Sequence, residues 1–100
     1  MIREQRSATI KAGKTREALE WAKEVVEYLN QNYPEQHCEA LREVWGSRHG
    51  RLCFFTDVEN GVALAELARK RARDENLLEL TQKGLTLMEN DWERIALQSF

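Results

Sequence analysis

Glu4 and Arg6 stand two residues apart in an alternating run, so an extended chain carries both on one face. A carboxylate beside a guanidinium can orient a ligand or polarise a carbonyl. The plainer and preferred reading is an ion pair at a dimer interface, since buried charges are usually paired. Arg42 and Arg94, also in extended segments, would add positive charge to the same cavity, or snorkel and pair with a nearby acid. Trp45, Phe54, Phe55 and Trp92 could stack on a planar molecule, although strand aromatics more often fill a core. The cavity candidates are Glu4, Arg6, Arg42, Trp45, Phe54 and Arg94, and no catalytic group is identified among them.

Other reactive residue types give less. His37 and His49 are the only imidazoles, one in a loop and one in a turn, and neither has a serine or cysteine at nucleophile-pair spacing. His37-Cys38 has no second ligand pair beside it, so no metal is expected. No glycine-rich phosphate loop occurs, and no cofactor is expected. Arg69-Lys70-Arg71 with Arg73 is read as a solvated helix end whose cations complement the helix dipole.

The elements that must position these residues follow from periodicity. Residues 2–11 alternate as a strand. Ala12-Gly13-Lys14 turns out of it, and Thr15 is the expected N-cap. A helix follows to Asn32 or Tyr33, with Ala18, Leu19, Ala22, Val25, Val26 and Leu29 as its apolar stripe and Trp21 and Tyr28 flanking it. Pro34 ends it. Residues 38–46 and 51–58 form a hairpin. A turn at Arg48-His49 pairs Trp45 with Leu52, Glu43 with Phe54 and Leu41 with Thr56. Asn60-Gly61 opens a second helix with Leu64, Leu67, Ala68 and Ala72 as its buried stripe. Asp74 breaks it and caps a further run from Leu77 to Met88. In that run Gly84 permits a close contact or weakens the helix. Trp92 to Phe100 alternates as a last strand. The order βαββαβ gives an α+β, ferredoxin-like fold: a four-stranded antiparallel sheet with helices on one face.

The 100 residues are expected to make one domain, 1–100, with a modest core that a second chain would help to cover. Large apolar groups on both faces of the hairpin point the same way, to a homodimer. With 15 Lys and Arg against 17 Asp and Glu, the net charge of −2 offers no bulk attraction to nucleic acid or to anionic membrane. No apolar run reaches the roughly 20 residues of a membrane span, and the charged start is no signal peptide, so a cytoplasmic location is expected. Cys38 and Cys53 are expected as free thiols. In the hairpin register above Cys53 faces Val44, about 20 Å from Cys38.

The opening segment from Met1 to Lys14 resembles the first strand of NIPSNAP-like proteins, members of the dimeric α/β-barrel superfamily. Glu4, Arg6, Thr9, Ile10, Lys11, Gly13 and Lys14 match that pattern, while Ala8 and Ala12 stand where the family has tyrosine and proline. The resemblance implies two sheets packed into a barrel around a cavity that holds a small apolar or aromatic molecule. Relatives of that kind include cofactor-independent monooxygenases, which is the alternative function. They also include haem-degrading enzymes, for which the two histidines are badly placed. Fold alone licenses no activity. An RNA-recognition motif shares the topology, but Ala8 replaces its first-strand aromatic, and no nucleic-acid partner is expected.

Overall fold

Alternation builds the sheet, and three-to-four spacing builds the helical layer above it. The computed structural model describes residues 1–46 and 50–100. Its elements are β1 (Ile2–Thr9), α1 (Thr15–Asn32), β2 (His37–Arg42), β3 (Arg51–Val58), α2 (Gly61–Ala72), α3 (Glu75–Gly84) and β4 (Glu93–Gln98). The strands form one antiparallel sheet in the order β2-β3-β1-β4. This is the expected α+β arrangement, with the second helical segment split at Asp74.

One face of the sheet lies under the helices. Ala8, Leu52 and Phe54 pack with Ala18, Trp21 and Ala22 of α1. Cys38 and Val58 pack with Leu29, Leu67 and Leu77. Trp21 belongs to the centre of the α1 stripe and does not merely flank it. It is 4% exposed, and its indole N–H donates to the Leu80 carbonyl at 2.8 Å. Gly84 is where α3 meets that ring: a methyl built there would come within 2.6 Å of Trp21 Cη2. Of the two roles open to Gly84, the structure shows the close contact.

The hairpin departs from the expected register by three residues. Cys38 lies opposite Thr56, Ala40 opposite Phe54 and Arg42 opposite Leu52. The cause sits at the other end of β2. Asn30 clamps the strand to α1, accepting from the Cys38 N–H at 2.8 Å and donating to the Cys38 carbonyl at 2.9 Å. Gln36 donates to the carbonyls of Leu29 and Tyr33. An odd slip exchanges strand faces. Cys38 and Ala40 therefore face the helices, Leu41 faces away, and β2 ends at Arg42 instead of reaching residue 46. Cys53 lies opposite Leu41, not Val44. It is on the far face from Cys38, and both thiols are free. The expected turn at Arg48-His49, and with it His49, lies outside the described residues.

Smaller departures have local causes. Lys14, not Thr15, occupies the N-cap of α1, without a side-chain cap bond. The helix is held instead by its buried face. Asn60 and Asp74 do cap α2 and α3, accepting from the N–H groups of Ala63 and Leu77. α3 ends at Gly84, and residues 87–89 return to pair with Thr9, Ile10 and Lys11, where β1 ends at Thr9 and not at residue 11. Among the described residues no helix is long and apolar enough to cross a membrane.

Candidate functional site

Glu4 sits at the centre of the sheet, between Thr56 of β3 and Ala96 of β4, on the face under the helices. It is 1% exposed. A buried carboxylate at this depth needs cations, and three reach it. Arg71 descends from α2 and donates from Nη1 to Glu4 Oε1 at 3.0 Å, while its Nη2 donates to Thr56 Oγ1 at 3.1 Å. Arg94 on β4 donates from Nε to Glu4 Oε2 at 2.8 Å. Arg6 on β1 places Nε 3.4 Å from Glu4 Oε1, an ion-pair distance. That nitrogen is buried without a hydrogen-bond partner among the described residues, as is Arg71 Nε.

Burial pushes the Glu4 carboxyl up, but the nearby guanidiniums, Arg6 first, outweigh it, and the net shift is down. Arg6 also shifts down. Burial is the main cause, Arg71 and Arg94 add to it, and the attraction of Glu4 does not compensate. The two shifts judge the Glu4–Arg6 pair differently, and the geometry explains why: one carboxylate is shared among three cations. Glu4 is firmly ionised, and Arg6 shares it with Arg71 and Arg94 without donating a hydrogen bond to it.

The sequence reading assigned Arg71 to a solvated helix end. Its side chain is instead 11% exposed and turned inward. The signal was present in the spacing, because Leu64, Leu67 and Arg71 continue one helical stripe, whereas Ala72, read as part of it, is exposed. The Glu4–Arg6 pair lies on the face of the sheet under the helices and not on the outward face. Alternation placed Ala8 and Ile10 on the same side, and those two residues belong to the core.

Beside this cluster, between the sheet and helices α1 and α3, lies a hollow of about 520 Å³. Arg6, Arg71 and Arg94 border it at one end. Trp21, Phe54 and Trp92 supply aromatic walls. Trp21 meets Phe54 edge-on at 5.5 Å, and Phe54 stacks on Trp92 at 6.4 Å. Of the sequence candidates, Arg6, Phe54 and Arg94 line the hollow, and Glu4 anchors the arginines behind it. Arg42 lines a different depression, between α1 and β2. Trp45 falls beyond the end of β2, 90% exposed and away from both. Trp21 and Arg71 are lining residues that the sequence reading passed over.

The opposite face of the sheet is open. Leu41, Ile95 and Leu97 are 52%, 49% and 57% exposed there. Phe55 lies under the Arg3 guanidinium at 5.2 Å, and Arg3 pairs with Asp57. Burial pushes both cysteine thiols up, which suits packed groups better than nucleophiles. Among the described residues no three His, Cys, Asp or Glu side chains converge as a metal site.

No protein-family model matches the sequence, and no curated protein matches it. Solved structures do match in fold. An uncharacterised NIPSNAP domain protein from Burkholderia xenovorans superposes with a TM-score of 0.82 at 19% identity, over 100% of this chain and 95% of its own. An antibiotic biosynthesis monooxygenase gives 0.75 at 15% identity, over 100% and 99%. A dimeric protein of unknown function from Bacteroides fragilis, described as having a ferredoxin-like fold, gives 0.74 at 8% identity, over 98% and 95%. At these identities the likeness is one of architecture, and the chain accordingly carries the ferredoxin-like α+β fold that NIPSNAP-domain and antibiotic-biosynthesis-monooxygenase-like proteins share.

Proposed function

We propose that the chain pairs as a homodimer through its open sheet face, and that each protomer binds a small aromatic or apolar molecule between its sheet and helices α1 and α3. The observation that carries the binding reading is the aromatic-walled hollow of about 520 Å³. That size is within the roughly 300–1,000 Å³ usual for ligand sites. The sequence reading expected the ligand between two facing sheets, whereas this hollow lies on the other side of the sheet. The exposed Leu41, Ile95 and Leu97 support the dimer, as does the dimeric Bacteroides protein of the same fold.

The monooxygenase neighbour favours a second reading, oxygen chemistry without a cofactor. Such chemistry needs a group that exchanges a proton near neutral pH. Glu4, which lies behind the hollow, is held ionised by its arginines and is therefore poorly suited to that proton transfer.

Two measurements test the proposal. Light scattering at micromolar concentration should give twice the mass of the 11.7 kDa chain. Titration with the neutral probe naphthalene-2-carboxamide should move the indole N–H resonances of Trp21 and Trp92 and leave that of Trp45 in place. A monomeric mass refutes the dimer. Unmoved resonances at millimolar probe, or movement of Trp45 alone, refute the binding site.

A further inference from the structure

We propose that the molecule bound in this hollow is an anion: an aromatic carboxylate whose ring lies among Trp21, Phe54 and Trp92 and whose carboxylate is taken by Arg6 and Arg94. The inference rests on the binding reading above and specifies its ligand class.

At the arginine end of the hollow three guanidiniums stand against Glu4 and Glu93, a surplus of one positive charge. Glu93 also lies 3.9 Å from the Arg51 guanidinium. Arg51 is itself buried and held by Ser7 and Asp91. Water screens the half-exposed Arg6 and Arg94 in the empty protein, and an anion that displaces it supplies a counter-charge.

Both oxygens of Glu4 are already occupied, Oε1 by Arg71 and Oε2 by Arg94. Among the described residues the Arg6 side chain donates no hydrogen bond. It borders the hollow, half-exposed, with a planar guanidinium. A carboxylate matches that fork with two acceptors at once. The downward shift of the Arg6 guanidinium, caused by burial and by the adjacent arginines, agrees with a cation that shares its counter-charge with two others.

The aromatic walls lie next to the arginines and not across the molecule from them, so one small amphipathic ligand can satisfy both ends.

Calorimetric titration with naphthalene-2-carboxylate and naphthalene-2-carboxamide, which differ in charge and little in size, tests the inference. At pH 7 the carboxylate should bind at least about tenfold more tightly than the amide. In Arg94→Gln and Arg6→Gln that ratio should fall toward one, with the affinity of the amide unchanged. The Arg94 side chain is 54% exposed, so its variant keeps the experiment decisive if Arg6→Gln fails to fold. Equal binding of both probes to the unmodified protein overturns the anion inference and leaves the binding reading standing. A preference for the carboxylate that survives both variants overturns it too, because the charge is then read elsewhere. If neither probe binds, both readings fall.

Discussion

Replacing Glu4 by glutamine keeps the side-chain volume and removes the one charge that the three arginines share. The Glu4–Arg71 pair is the buried part of the cluster, at 1% and 11% side-chain exposure. Breaking a pair of that kind costs about 3–5 kcal/mol, because the remaining charge is stranded. Arg6 and Arg94 are 43% and 54% exposed, and water screens them, so they add little to that figure. Glutamine still offers one acceptor oxygen, which puts the expected loss near the low end, about 3 kcal/mol. For a domain of this size each kcal/mol moves the melting temperature by roughly 4–8 °C, so Glu4→Gln should melt at least about 12 °C lower. Circular dichroism melts and urea titrations at one fixed protein concentration read the effect. Adding Arg71→Met removes the stranded cation and should recover half the loss or more. pH supplies a second reading. The Glu4 carboxyl titrates lower in the folded chain than in the unfolded one. Its contribution is therefore present above the unfolded value of about 4.3 and disappears as pH falls through the folded value. The gap between wild type and Glu4→Gln should narrow below about pH 4. A loss under about 1 kcal/mol, no recovery with Arg71→Met, or a gap that persists in acid each contradicts the shared-carboxylate account.

Gly84→Ala forces a methyl into the Trp21 ring and should cost about 1–3 kcal/mol, with a change in Trp21 emission; an unshifted melt would show that α3 is not seated on that ring. Asp74 accepts from the hydroxyls of Tyr28 and Tyr33 and from the Leu77 N–H. Asp74→Ala removes the cap and strands the buried Tyr33 hydroxyl, for an expected loss of about 1–3 kcal/mol; a melt unchanged within error would rule this junction out as a source of stability.

The sequence was most readable where one local signal acts alone. β3 and the starts of α2 and α3 follow from alternation and from Asn60 and Asp74, whose side chains satisfy the first turn whatever packs above them. The β2–β3 register was not readable from the turn, because Asn30 and Gln36 set it from the end of α1, through bonds that no hairpin rule contains. Glu4, Arg6 and Arg94 stood out as charges in strands. Alternation fixes which residues share a face, and only packing decides which face the helices cover. Arg71 was hidden among Arg69, Lys70 and Arg73, since composition marks that stretch as basic and only helical phase separates the inward arginine from its neighbours.

The first strand of the chain lies inside the sheet, between β3 and the last strand, β4. Glu4 and Arg94 touch at a sequence separation of 90. Contacts of such long sequence separation slow folding, because a large loop must close before they form. A ribosome releases Glu4 long before Arg94. Through that interval one flank of β1 has no neighbour and offers its backbone groups to any passing strand. Docking of β4 thus brings in the third cation and closes the exposed flank in a single step, so variants that weaken β4 should aggregate during synthesis before they lose stability in the finished protein.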